Sequence, residues 1–415
     1  MASRLLWWIF LAGIALRIAI WPIQKPESND KHFEYAHYVS VTGELPTPDE
    51  VEQAYQPPLY YLLAAPLASL PSPKKTVQAL SLLLALLNLW LLHRLISETT
   101  LLSEAAKVHA MALAAFLPQF VLFGNVVTND ALTFPLTTAC CWALLNLSRQ
   151  PSNRNVAITG LLLGLGLLTK ASFVPLVPIL ASLTWLITRR RGAVLLLLAV
   201  SLGPGSWQLA RTYGRYSHAL TNAQQVAELW VAQQQEESRN WLSPENLNPL
   251  RLLRKPYAHL THDKSYPVAM YATFYFPYIF QDGLGRRLSP LPGLPQAVYL
   301  TALFPTLAML AGFLLLARRV APPWGGSETV TVLFTLLSLA GCAATVITAM
   351  IQFQVWSFAQ GRYLFPYMFP LGILLGTGLE RVRRIPALPD VAMLTFWAVS
   401  LAGLLADALM GYTRT

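Results

Sequence analysis

About eleven apolar runs, most close to the roughly 20 residues that cross a bilayer as a helix, punctuate this chain. They lie near 5–23, 76–96, 104–124, 131–148, 155–170, 172–188, 192–210, 296–317, 328–349, 362–379 and 390–410. In hydrocarbon the backbone must satisfy its own hydrogen bonds, so such runs are expected to be helices. The expected fold is all-α: a polytopic membrane protein of about 11 transmembrane helices, with in-plane helices beside the membrane on its outer face.

Composition agrees. Of 415 residues, 54% are hydrophobic and 12% charged, against about 25% charged in a soluble domain. The net charge is +10, but the basic residues sit in short loops between apolar runs. That is a topology signal, not a nucleic-acid-binding surface. Cys140, Cys141 and Cys342 all fall inside apolar runs, so they read as buried free thiols. The first run contains Arg17 and is followed by no small-residue cleavage site. It is expected to be an uncleaved first helix.

The segment PPLYYLLAAPLASL, residues 57–70, decides the topology. It is short for a span and carries Pro57, Pro58 and Pro66. If it does not cross and the N-terminus is cytoplasmic, five basic groups lie inside: His93 through Lys107, Arg149 with Arg154, Arg189–Arg191, Arg318–Arg319, and Arg381 with Arg383–Arg384. If it crosses, the last four face outward, against the positive-inside rule. Residues 57–70 are therefore expected to form a surface or re-entrant helix. Three regions follow: a core at 1–210 with a first outer loop at 24–75, an outer region at 211–295, and C-terminal helices at 296–415. Within 211–295, residues 222–238 read as a polar helix and 266–280 as a second surface-lying helix.

The residues suited to chemistry gather on the outer side. The first loop carries Asp30, His32, Glu34, His37, Asp49, Glu50 and Glu52. A partly desolvated carboxylate at a membrane boundary suits general-base work; the same residues also read as a solvated polar loop. Asn129-Asp130 lies in a short turn, where Asp suits a helix cap as well as a site. Lys170 ends a glycine-spaced helix, GLLLGLGLLTK, and either snorkels or holds a phosphate. Gln360-Gly361-Arg362-Tyr363 opens the tenth run, with a guanidinium able to grip a phosphate bidentately or to anchor the helix. Ionisable groups within the spans are scarce, which counts against an ion-coupled transporter.

These pieces, in this order, resemble the GT-C superfamily of membrane glycosyltransferases, on its protein O-mannosyltransferase and lipid A aminoarabinose transferase branch. The pieces are NDKHFEYAHYVSVTGELP, Tyr-Gln-Pro-Pro-Leu-Tyr-Tyr, the TND turn, GLLLGLGLLTK and QGRYLFPYMFPLG. The resemblance implies an inverting transferase using a polyprenyl-phosphate sugar and a lipid, glycan or protein acceptor, at the outer face of the plasma or inner membrane. Asp30 matches the family's catalytic loop acid, Asp130 its second acid, and Lys170 the lysine that holds the donor phosphate. Arg362, Gln360, Gln56 and Tyr60 are expected beside that phosphate. A divalent cation, Mg or Mn, would be held by Asp30 and Asp130 with His32 and Glu34 as further ligands. Lys31 stands where relatives often carry Glu, and Tyr55-Gln56 where they often carry His-Gln or Glu-Lys. An O-antigen polymerase or ligase, relying on Arg286 or Arg287, and a lipid or solute transporter are the other classes.

Overall fold

The computed structural model describes residues 2–27, 30–47, 50–216, 242–254, 265–276, 294–320, 324–353, 358–383 and 387–413. Helices dominate. They are α1 (Ala2–Ile20), α2 (His32–Thr42), α3 (Leu59–Ala68), α4 (Pro73–Glu98), α5 (Glu104–Phe116), α6 (Pro118–Phe123), α7 (Asp130–Arg149), α8 (Asn153–Leu167), α9 (Leu176–Thr188) and α10 (Arg191–Tyr216). After two four-residue turns, Pro244–Leu247 and Arg251–Arg254, come α11 (Tyr266–Tyr275), α12 (Leu294–Ala317), α13 (Ser327–Phe353), α14 (Met368–Val382) and α15 (Leu388–Thr413). Among the described residues there is no strand, only an isolated bridge between Glu27 and Val127. The polar helix expected at 222–238, together with Asp49, Arg286 and Arg287, lies outside the described residues.

Among the described residues, seven helices are long and apolar enough to span a bilayer: Ser3–Ile20, Pro73–Glu98, Asp130–Arg149, Ala171–Thr188, Gln296–Ala317, Ser327–Gln352 and Leu388–Ala406. The other four expected crossings are present but broken or short. Pro118 splits 104–124 into α5 and α6. Helix α8 stops at Leu167, and α10 carries Pro204 with apolar character only over Arg191–Trp207. Residues Gly361–Tyr367 form a 3-10 stretch before α14. Irregular backbone at membrane depth is tolerated only inside protein. Accordingly, Leu117, Pro118, Gly361, Phe365 and Pro366 are all buried.

Polar contacts divide the bundle into two ends. At one, Arg94 and Arg149 pair with Glu98, Arg190 with Asn153, Thr100 with Glu328, the Ser103 amide with Glu380, and His109 and Arg383 with Asp390. This is the basic end. At the other, Lys75 donates to the Gln24 carbonyl at 2.9 Å, and Arg211 to the Pro46 carbonyl at 3.0 Å. The first loop thus leaves α1 and returns to α4 at the same end. Ten-residue α3 spans only about 15 Å at 1.5 Å per residue and does not cross.

Helix α11 is also too short to cross, at 10 residues, as the reading of 266–280 as a non-spanning helix expects. Val268, Ala269, Tyr271, Ala272, Phe274 and Tyr275 are all buried. The helix is packed against neighbouring protein over most of its length.

Close helix approach relies on glycine, as the spacing of GLLLGLGLL implies. A Cβ on Gly160 would lie 2.9 Å from the Leu197 carbonyl of α10, and one on Gly164 2.9 Å from that of Ser201. Helix α14 is held likewise, with Gly372 against Ala110 of α5 and Gly378 against the backbone at Ala308 of α12. Gly164→Ala is expected to destabilise the protein by about 1–3 kcal/mol through overpacking. Gly192→Ala, which meets nothing within 4 Å, is expected to be neutral. Thermal melts of the two variants check this.

Candidate active site

At the end opposite the basic loops, four ionised side chains from four parts of the chain converge. Asp30 precedes α2, Asp130 opens α7, Lys170 follows α8, and Arg362 sits in the 3-10 stretch before α14. They form two ion pairs. Arg362 Nη1 lies 2.5 Å from Asp30 Oδ2, and Lys170 Nζ lies 2.5 Å from Asp130 Oδ1. Side-chain exposure is 11% and 29% in the first pair, and 15% and 6% in the second. Water therefore reaches chiefly Asp30. Removing one partner of such a buried pair costs about 3–5 kcal/mol.

Local backbone explains each placement. Lys31 has φ 52°, left-handed for a non-glycine residue. That turn lets Asp30 and His32 both face inward while Lys31 points out to Glu52 at 3.5 Å. Lys31 therefore lies outside the charge cluster. Asn129 joins three elements. Its Nδ2 donates to Gln56 Oε1 at 3.1 Å and to the Thr169 carbonyl at 3.2 Å. The residues before Asp130 and before Lys170 are thus bonded together. Gly361 carries no Cβ because the backbone at Met270 and Phe274 presses on it, and its amide donates to Thr273 Oγ1 at 2.7 Å. That docks the Arg362 stretch on α11. The Arg362 guanidinium also lies over Phe123 at 5.4 Å and Tyr363 at 5.9 Å. Lys170 lies 6.0 Å from the same Tyr363 ring.

His32 is buried beside the four charges, with Nδ1 2.7 Å from the Tyr61 hydroxyl. Tyr61 stacks on Tyr35 at 3.8 Å and 11°. Burial pushes His32 down to about 4, Asp30 and Asp130 opposing and Lys170 and Arg362 assisting. It is neutral at pH 7. Burial alone would raise the Asp30 carboxyl, but the Arg362 guanidinium, helped by His32 and Lys170, holds it below the usual carboxylate range. Burial keeps the Tyr55 phenol protonated near Asp30 and Arg362.

The structure brings Asp30, Asp130, Lys170, Arg362 and His32 together, with Gln56 joined through Asn129. Gln360 is buried beside Arg362, and its Oε1 has no partner among the described residues. Tyr60 is buried and shares its hydroxyl with Ser81 at 3.0 Å, which makes it a packing residue of α3 on α4. Asp30 and Asp130, the expected cation ligands, lie in the same cluster. Glu34 is exposed, each aspartate is engaged by its own cation, and no group of three His, Cys, Asp or Glu is poised for a metal among the described residues. Asn129, Tyr61, Tyr363 and Thr273 were not singled out from the sequence. The first and third lie inside motifs that were read for their charged neighbours, and Thr273 carries no sequence signal.

Asn129→Ala should loosen both Asp130 and Lys170 and lower stability by about 1–3 kcal/mol, because buried acceptors lose their donor. Asn129→Asp should do at least as much harm, since it offers the Thr169 carbonyl no donor. Thermal melts check both. The pH response follows from His32. Its folded pKa of about 4 lies below the ordinary value of about 6.5, so its contribution is held above pH ~6.5 and lost as pH falls toward 4. The loss of thermal stability in that window should shrink in His32→Gln; an unchanged loss would contradict the assignment.

Residues 55–203, less than half of the chain, match the family model of dolichyl-phosphate-mannose-protein mannosyltransferase. No curated protein matches the chain. Among solved structures, the chain is similar to the Archaeoglobus fulgidus oligosaccharyltransferase, crystallised with zinc and sulfate. The TM-score is 0.53 at 14% identity, covering 96% of this chain and 53% of that one. The chain thus spans about half the length of that relative. ArnT from Cupriavidus metallidurans, in the apo state, aligns with a TM-score of 0.39 at 14% identity over 91% of this chain and 79% of that one; this carries no argument. The family match and the shared fold bear out the resemblance to GT-C membrane glycosyltransferases.

Proposed function

We propose that the chain is an inverting glycosyltransferase that moves a sugar from a polyprenyl-phosphate donor to a lipid, glycan or protein acceptor at the outer face of the membrane. One observation carries the reading. Two cations and two carboxylates meet where broken helices end, at the end of the bundle away from the basic loops. The positive-inside rule then puts this end outside. A lipid-linked phosphate at the membrane edge meets Lys170 and Arg362 there, and the family match over 55–203 supports that substrate class.

The chemistry follows from the two pairs. A donor phosphate competes with Asp30 for Arg362 and with Asp130 for Lys170. Once Arg362 turns to the phosphate, Asp30 loses the partner that lowers its pKa and becomes a stronger base. It takes the proton of an acceptor hydroxyl as that oxygen bonds to the anomeric carbon. The bond from that carbon to the phosphate oxygen breaks, and its electron pair leaves with the polyprenyl phosphate. Lys170 and Arg362 stabilise the charge that develops on it. Displacement in one step inverts the anomeric carbon.

The test is to incubate the purified protein with a panel of polyprenyl-phosphate sugars and follow sugar transfer or release. Asp30→Asn is expected to lower transfer by about 100-fold or more. Lys170→Met should weaken donor binding by at least about tenfold. Full transfer by Asp30→Asn would remove the base, and no turnover of any donor by the wild type would remove the function.

A further inference from the structure

Arg17 lies within α1, 1% exposed, and no carboxylate pairs with it among the described residues. An ionisable residue inside a span calls for a functional explanation. Its partners are backbone carbonyls. Nη1 donates to Gly13 at 3.1 Å and to Ala115 at 3.0 Å, and Nη2 donates to Ala114 at 2.9 Å. The Ala114 carbonyl lacks its helical donor for a plain reason: the residue four places on is Pro118, which has no N–H. Gly13 permits this approach, because a Cβ there would lie 2.9 Å from that of Ala115.

The break that Arg17 caps leads straight to the charge cluster. The guanidinium sits 5.6 Å from the Phe120 ring, which packs on Phe365 at 5.5 Å and Phe134 at 5.4 Å. Phe123, one turn further along α6, lies under Arg362. The Arg17 carbonyl also accepts from Asn125 Nδ2 at 3.0 Å, and the Asn125 carbonyl accepts from Gln78 at 2.8 Å. Asn125 lies near the start of the fully buried turn 124–130 that delivers Asn129 and Asp130.

We propose that Arg17 is a positioning residue for the donor site: it holds the α5–α6 break open, so that α6 carries Phe123 beneath Arg362 and the following turn sets Asp130 against Lys170. The link to donor binding rests on the glycosyltransferase reading. The link to the 124–130 turn does not.

The experiment uses the full chain in three variants, Arg17→Leu, Pro118→Ala and the two combined. Each is measured for melting temperature, for hydrogen exchange of the 124–130 amides, and for binding of a polyprenyl-phosphate sugar. Pro118→Ala gives Ala114 a helical N–H, so the combined variant no longer leaves that carbonyl unpaired. It should melt higher than Arg17→Leu alone. It should still exchange the 124–130 amides at least about tenfold faster than the wild type and bind donor at least about tenfold more weakly, because a straightened α5–α6 moves Phe123. A purely structural Arg17 predicts that the combined variant regains wild-type exchange and affinity along with stability, and that result overturns the proposal. Where Arg17→Leu alone fails to accumulate, the combined variant is compared with Pro118→Ala, which keeps Arg17: equal exchange and affinity in the two also overturn the proposal. If the wild type binds no such donor, the glycosyltransferase reading fails while the exchange comparison still decides the role of Arg17.

Discussion

Two buried ion pairs, Asp30–Arg362 and Asp130–Lys170, hold the working end of this protein together. Each joins elements distant in sequence: the first loop to the 3-10 stretch before α14, and the start of α7 to the end of α8. A charge at a membrane edge without a partner is costly, and so is half of a buried pair. The loop, the turn and the helix ends must therefore arrive together. Asn129 enforces this by bonding Gln56 and Thr169 at once, and Thr273 does so by receiving the Gly361 amide. The same pairing makes the site responsive, since an anionic ligand can take either cation only by releasing a carboxylate.

The broken helices are the structural counterpart of this charge cluster. A continuous helix uses all its backbone groups internally and ends only at the water boundary. Stopping α8 at Leu167, splitting α5 from α6 at Pro118, and winding residues 361–367 as a 3-10 stretch free backbone and bring side chains inward. The freed groups need partners from protein. Arg17 serves the carbonyls at the α5–α6 break, and the Thr169 carbonyl accepts from Asn129. At the opposite end the loops are tied by carboxylates instead, with Glu98, Glu328, Glu380 and Asp390 each bonded to a neighbouring loop or helix.

Much of this was legible in the sequence, because long apolar runs and the side on which arginines collect are one-dimensional signals. The seven long spans and the non-crossing α3 follow from them. The four remaining passes were legible as apolar runs but not as broken ones. Pro118 was visible, yet what its missing N–H does depends on Arg17, a hundred residues earlier. Asp30, Asp130, Lys170 and Arg362 were found by motif and resemblance. That they pair acid to base was not legible, because pairing is set by distances between loops. Glu34, two residues beyond the buried His32 on α2, is exposed. The contact of Tyr60 with Ser81 of α4 was not legible either, since it joins two helices. That α11 would be packed among other helices was not legible, because aromatic richness does not say which neighbours cover it.

The central claim is that the donor phosphate displaces Asp30 from Arg362, and donor affinity in Asp30→Asn tests it most directly. Titrating a polyprenyl-phosphate sugar into wild type, Asp30→Asn and Arg362→Gln separates competition from cooperation. If Asp30 competes with the phosphate, Asp30→Asn binds donor as tightly as the wild type or more tightly, while Arg362→Gln binds it at least about tenfold more weakly. If Asp30→Asn loses donor affinity as severely as Arg362→Gln, the ion pair is part of the bound state and the exchange mechanism is wrong.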